Sequence, residues 1–307
     1  MPLTYTNITA STLKHYEKKL YDNIFKAYPL LERLLYKGQT KEFDGGEKIF
    51  VDIEYGENSN VGWISKSGTI PTEDDEIITA VEDDWRILAG TVKFNDFDKV
   101  RNRGEARIVD FMKTKIKNLD KTMRKNLAES LHTAQTGEAM NGLPDIVSTS
   151  STLHGVAVAD CAAWASAYAD DTAEPLAIID MNTAYYTGSD GADHIDLIDV
   201  GQTLYAKYES LVQPQMRFTD SRTADAGFEN IKFHNAICVL DKNCTSDRMY
   251  FLNTDYLYMA FIKDRKFHAF PAVQSANQLY EVVKVVCYTN LMTSNRRYQC
   301  MLDGRTA

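Results

Sequence analysis

GEARIVDFMKTKIKNLDKTMRKNLAESLHTAQT, residues 104–136, decides the architecture. Ile108, Met112, Ile116, Leu119, Met123, Leu127 and Leu131 recur at steps of three and four, the stripe of one amphipathic helix. Gly137 supplies a stop. About thirty residues at 1.5 Å each make a rod roughly 45–50 Å long. Its flanks are basic, with Arg107, Lys113, Lys115, Lys117, Lys121, Arg124 and Lys125. Such flanks are the usual solvated face of a packed helix. Without interleaved aromatics, and in a chain of net charge -9, they argue against specific nucleic-acid recognition.

Upstream, residues 47–55 alternate: Ile49, Val51, Ile53 and Tyr55 on one face, Lys48, Phe50, Asp52 and Glu54 on the other. That is a strand. Trp85 to Phe94 reads as a second. Between them runs a stretch of about thirty residues rich in Gly, Asn, Ser and acid, and irregular stretches of that length tend to be functional. A long hairpin projecting from the body is expected. Trp63, at its tip, is either a local plug or an anchor for a neighbouring subunit. The acids Glu73, Asp74, Asp75 and Glu76, then Glu82, Asp83 and Asp84, are either solvated faces or a surface that docks on basic partners. Still earlier, residues 11–37 read as helix, interrupted at Pro29 and closed by Gly38. Leu30, Leu31, Leu34, Leu35 and Tyr36 make an apolar face that needs a partner, its own core or another chain.

Downstream, residues 141–229 read as a separate mixed subdomain, with a strand near Ile195–Asp199 and a helix over about Gly201–Val212. Arg248–Leu252 and Leu257–Ile262 read as strands around a turn at Asn253-Thr254-Asp255. Tyr280–Leu291 is a long apolar strand, followed by a final run to Leu302. The whole chain has 307 residues, 44% of them hydrophobic and 25% charged, an ordinary globular composition. No run approaches the ~20 apolar residues of a membrane span, and the first residues lack the pattern of a signal peptide. The charge alternates along the chain: +3 over residues 1–42, -10 over 43–98, +5 over 99–140, -11 over 141–229 and +4 over 230–307.

No enzymatic constellation is found: no GxSxG, no P-loop, no GxGxxG after a strand and no HExxH. The six His are scattered singly, and five Cys with no CxxC read as buried reduced thiols. Asp190, Asp193, Asp196 and Asp199 are the best metal candidates, yet their spacing fits no Ca²⁺ loop. The expectation is a solvated acidic loop, with no metal and no cofactor.

The order of parts nevertheless resembles a known family. STLKHYEKKLYDNIFKAYPLLERLLYKG runs into GGEKIFVDIEYGENSNVGW; NRGEARIVDFMKTKIKNLDKTMRKNLA exits through NGLPDIV; AGFENIKFHNAICVLD, MYFLNTDYLYM and NLMTSNRRYQCML follow. Together they are similar to the major capsid proteins of tailed bacteriophages, whose α+β fold is named after phage Hong Kong 97 (HK97-like). The resemblance implies an N-terminal arm over 1–42 and an extended β-hairpin loop over 43–95. A peripheral domain would take 96–140 and 230–307 with a long spine helix at 104–136, and an axial domain 141–229. It implies a virion protein, assembled in the host cytoplasm, that forms hexamers and pentamers of itself in an icosahedral head around double-stranded DNA. Scaffold, portal and cement proteins would be its partners, with no membrane and no catalytic residue. The contacts expected between subunits are Trp63, Lys66, the seven hairpin acids against Arg101, Arg103, Arg107 and Lys113, and the apolar Leu31, Leu34 and Leu35. An encapsulin-type shell with protein cargo is the nearest alternative, and a metal-dependent hydrolase a remote one.

Overall fold

The computed structural model describes residues 28–36, 39–54, 56, 58–74, 77–97, 111–212, 231–274 and 278–306. The chain opens with α1 (Pro29–Tyr36), β1 (Thr40–Phe43), β2 (Lys48–Glu54), β3 (Ile78–Asp84) and β4 (Arg86–Asn95). Then come α2 (Phe111–Leu131), α3 (Leu143–Ile146), β5 (Tyr168–Asp170), α4 (Ile178–Thr187), β6 (Leu197–Val200) and α5 (Gln202–Val212). The last third is strand: β7 (Lys232–Phe233), β8 (Ala236–Leu240), β9 (Met249–Leu252), β10 (Leu257–Ile262), β11 (His268–Ala269), β12 (Val273–Gln274), β13 (Tyr280–Thr293) and β14 (Cys300–Leu302). Among the described residues no helix is long and apolar enough to cross a membrane.

Two six-stranded sheets carry the chain. The first is organised by β13, whose residues Tyr280 to Thr289 pair antiparallel with β4 along one edge. β12, β11 and β10 pair with it in turn along the other, and β1 lies parallel to β10. The second sheet has the order β5-β14-β9-β6-β8-β7. β2 and β3 form a separate antiparallel ribbon.

The helical stripe of α2 explains how it sits. Met123, Leu127 and Leu131 are buried, Leu119 is half-buried, and Ile116 is exposed. The C-terminal half therefore packs against the body while the stripe emerges toward the other end. Gly90 in β4 allows the close approach: a Cβ there would lie 2.6 Å from Leu119 Cδ1. Leu30, Leu31 and Leu34 of α1 join the same core, with Leu257, Met259, Phe261 and Leu291 of the first sheet. A second core lies among Ile198, Val200, Leu204, Tyr208, Met249 and Phe251. Each such side chain contributes about 1.5–3 kcal/mol by leaving water.

Three expectations need correction. The strand starting at Trp85 is not the partner of residues 47–55; β4 pairs with β13, and β2 pairs with β3 from within the stretch read as irregular. The acidic Glu82-Asp83-Asp84 ending disguised β3, although Ile78-Thr79-Ala80-Val81 has strand chemistry. Helix α2 ends at Leu131, before Gly137. There His132 and Thr133 donate to the carbonyls of Glu129 and Ser130, a tightened last turn. The strands expected around the turn at Asn253-Thr254-Asp255 are present as β9 and β10, and that turn carries the chain from one sheet to the other. Finally, β7, β8, β9 and β14 complete the sheet of β5 and β6, so the layers do not divide at residue 230. Residues 1–27 and 98–110, including the start of the expected spine helix, lie outside the described residues.

The chain passes between the two layers three times, near residues 132–142, 253–256 and 294–299. Polar side chains tie these passes together. The Asn141 backbone N–H donates to Asn290 Oδ1 at 3.1 Å and its Nδ2 to the Leu291 carbonyl at 3.4 Å. Asn253 and the wholly buried Gln299 exchange two bonds, Asn253 N–H to Oε1 at 3.2 Å and Nε2 to the Asn253 carbonyl at 3.0 Å. Asp196 accepts from the Thr254 N–H and hydroxyl at 2.8 and 2.6 Å, and pairs with Arg33.

Candidate assembly surface

The β2–β3 ribbon has two regions with opposite character. At its base, Ile49 and Val81 are fully buried and Ile53 nearly so; Ile49 packs with Tyr258, Ala260 and Met292. Beyond the paired strands every residue from Val61 to Asp74 is exposed. The extension is nonetheless ordered by its own bonds: Asn60 Nδ2 donates to the Glu73 carbonyl and Asn60 Oδ1 accepts the Glu73 N–H, both at 2.7 Å. Gly68 closes a turn on Ser65. On this tip Trp63 is 106% exposed and Val61 84%, with Ile64 and Ile70 also open. Trp63 is therefore no local plug. Apolar side chains held out by a braced ribbon make a surface that lacks a partner within the chain.

The acids behave differently from one another. Glu73, Asp74 and Lys66 are all exposed on the extension. Glu82 pairs with Lys48 across the ribbon at 2.6 Å. Asp83 turns inward, accepting from His154 Nδ1 at 2.7 Å and Asn141 Nδ2 at 2.5 Å. Of the second triplet Asp84 is exposed, Glu82 is half-buried in its pair with Lys48, and Asp83 is committed to bonds within the chain. Asp75, Glu76, Arg101, Arg103 and Arg107 lie outside the described residues, as does the side chain of Lys113. On α2, Arg124 pairs with Asp120 and Lys125 with Glu129, while Lys117 and Lys121 are exposed. Leu31 and Leu34 are 2% and 0% exposed and Leu35 packs beside them, so the apolar face of α1 is covered by its own core. The four loop aspartates do not converge on one point. Asp190 and Asp193 bond to each other's backbone, Asp196 is taken by Thr254 and Arg33, and Asp199 is buried under His132.

The inward contact of Asp83 with His154 is what residue-by-residue reading missed. His154 Nε2 accepts the Thr293 N–H, at 3.4 Å, so its Nδ1 carries the hydrogen and donates to Asp83. The pair pins the ribbon base to β13. Burial alone would raise the Asp83 carboxyl, but the bonds from His154 and Asn141 outweigh it and hold the group below its ordinary value. A depressed carboxyl contributes stability above its unfolded pKa and loses it as pH falls through the folded value. Protection from hydrogen exchange at residues 79–84, taken relative to the intrinsic rate at each pH, is expected to stay high at neutral pH and to fall once pH drops below about 4. Asp83→Asn, which turns an acceptor into a donor facing donors, should open the base at all pH values at a cost of about 1–3 kcal/mol. Protection unchanged in that variant would show that Asp83 does not hold the ribbon.

No family model matches the sequence, and no curated protein matches it either. Solved structures do. The capsid chain of cyanophage A-1(L) aligns with a TM-score of 0.76 at 15% identity, over 99% of this chain and 100% of that one. The capsid of the native GTA particle gives 0.71 at 9% identity, over 98% of each chain. The holo-SrpI encapsulin of Synechococcus elongatus gives 0.65 at 9% identity, over 99% of this chain and 97% of that one. The chain has the HK97-like fold. The first sheet with α2 then makes one layer and the second sheet the other.

Proposed function

We propose that the chain is the structural subunit of a protein shell, closing as hexamers and pentamers of itself around double-stranded DNA. The observation that carries this reading is the braced ribbon that presents Trp63, Val61, Ile64 and Ile70 to solvent. A free subunit gains nothing by ordering an apolar tip in water, whereas a neighbouring copy can cover it. Glu73 and Asp74 on the same tip would set register against basic groups of that neighbour, each exposed pair adding only about 0.2–1 kcal/mol. The reading uses interface free energy and assigns no catalytic residue. Scaffold, portal and cement proteins would be further partners during head assembly.

Likeness to both phage capsids and an encapsulin makes the contents the deciding observable. Electron microscopy of the purified chain should show closed shells or five- and six-membered rings. Particles recovered from the producing cell should protect double-stranded DNA from nuclease. A uniform 34.7 kDa monomer at high concentration would sink the shell reading, and protected protein cargo without DNA would favour the encapsulin one.

A further inference from the structure

Three donor side chains from distant parts of the sequence meet in the core between the two layers. His132 follows the end of α2, Asp199 lies in β6, and Cys244 lies between β8 and β9. All three are buried, and one donor atom from each lies within 4.8 Å of the other two. The orientation of the imidazole is set by its outer nitrogen. His132 Nδ1 is 3.1 Å from the Ala128 carbonyl oxygen, which can only accept, so Nδ1 carries a hydrogen. Nε2 then faces Asp199 Oδ2 at 2.6 Å. A neutral ring would set two lone pairs against each other there, so an electrophile belongs at Nε2: a proton or a metal cation.

Two observations point past a single proton. Asp199 is 1% exposed, and its second oxygen, Oδ1, has no hydrogen-bond partner. Asp241, also 1% exposed, lies close enough to interact electrostatically with His132, Asp199 and Cys244, and its Oδ2 is likewise unpartnered. The pocket thus gathers an imidazole, a thiol and two carboxylates. The guanidinium of Arg248, beside Cys244, is turned to Asp303 and Tyr250 instead. An unpaired buried carboxylate oxygen is costly, and one proton cannot serve this many acceptors.

We propose that His132 Nε2, the Asp199 carboxylate and the Cys244 thiolate bind one divalent cation of the Zn²⁺ class, with Asp241 as fourth ligand or balancing charge. Mixed nitrogen, sulfur and oxygen donors in a small closed site suit Zn²⁺ and its Co²⁺ analogue. Ca²⁺ and Mg²⁺, which take six or more oxygens, are excluded by the donor count. The hydrogen bond from Nδ1 to the Ala128 carbonyl is the outer contact that fixes a metal-binding histidine. Binding releases the proton bridging His132 and Asp199 and the thiol proton of Cys244. It also opens the contact between Nε2 and Oδ2 to about 3.2 Å, as two bonds of ~2.0 Å at a tetrahedral centre require. The cation would tie the end of α2 to the second sheet. No sequence signature announces it, because no two of the ligands lie on one element. This reverses the expectation drawn from spacing, and it stands independently of the shell reading.

The test uses the full chain refolded under reducing conditions with Co²⁺, then desalted. One equivalent should be retained, with a thiolate-to-cobalt charge-transfer absorption, and Zn²⁺ should displace it and raise the thermal midpoint by several degrees. Cys244→Ala should lose the absorption, whereas Cys161→Ala, at a different buried thiol, should keep it. Folded wild-type protein that retains no metal would overturn the proposal and leave a proton between His132 and Asp199. So would an absorption that survives in Cys244→Ala. If that variant fails to fold, the wild-type stoichiometry and spectrum still decide.

Discussion

Trp63→Ala is expected to leave the subunit as stable as the wild type while raising the concentration needed for shell assembly about 30-fold or more. The first half follows from geometry. Trp63 is fully exposed, so its removal takes away no intrachain packing, and surface substitutions of that kind fall within about 0.5 kcal/mol. The second half follows from the shell reading. A buried Trp removes about 150–250 Å² from water, and aromatic anchors at interface centres cost about 2–4 kcal/mol on truncation. Two kcal/mol is about a factor of thirty in an equilibrium constant. Every subunit both gives and receives such a tip, so the loss recurs at each position of the shell. Light scattering against concentration reads the assembly threshold, and urea unfolding of the dissociated subunit reads stability. Equal thresholds for variant and wild type would remove Trp63 from the interface. A drop in subunit stability would mean that the tip folds back on its own chain.

The second large effect lies in the interior. Arg296→Met should destabilise the subunit by about 4 kcal/mol or more, with Arg296→Lys recovering part of the loss. Arg296 is completely buried. Its Nε donates to the Ile146 carbonyl at 2.5 Å, Nη1 to the Ser151 carbonyl at 2.7 Å, and Nη2 to the Asp145 carbonyl at 2.9 Å and Ser151 Oγ at 2.6 Å. The carbonyls of Asp145 and Ile146 end the short helix α3; Ile146 also receives the Ser148 N–H and the Ser166 hydroxyl, whereas Asp145 relies on the guanidinium. Burial pulls the guanidinium down to about 10, so it is still charged at neutral pH. Methionine fills much of the volume but takes the donor from the Asp145 and Ser151 carbonyls, at about 1–3 kcal/mol each, while the Ile146 carbonyl keeps Ser148 and Ser166. Lysine restores a charge but not the planar fork that reaches several acceptors at once. The urea midpoint measures both variants. A methionine variant within 1 kcal/mol of wild type would show that water or a backbone shift replaces the clamp.

These two residues also mark what a sequence discloses. Trp63 was legible because loop chemistry on both sides of it places an aromatic where a body cannot cover it. The stripe of α2, the alternation of β2 and the mostly apolar run of β13 were legible because each is written in neighbouring residues. Strand pairing is not. β2 finds β3 rather than β4 because Ile49 and Val81 both face the core, and that depends on a third surface. The role of Arg296 depends on carbonyls about 150 positions away, and carbonyls have no letter in a sequence. The same holds for His154 with Asp83 and His132 with Asp199, separated by 71 and 67 positions. Both readings of the acidic run, solvated face or docking surface, therefore treated its members alike, although alternation along β3 sends Asp83 inward and leaves Asp84 outside.

The three passes between the layers have a mechanical consequence. A joint crossed by one strand of chain can swivel; a joint crossed by three, laced by Asn141 with Asn290 and by Asn253 with Gln299, behaves as a torsion bar. Turning one sheet against the other would shear all of these buried bonds together. A closed container built from both rings of five and rings of six must still seat one sequence at unequal angles. If the chain builds such a container, that compliance would fall to the extension beyond Glu54, whose two arms are braced to each other through Asn60 and Glu73. The subunit is then a stiff tile with a sprung clip, and differences in curvature should register as bends of the clip while the tile keeps its shape.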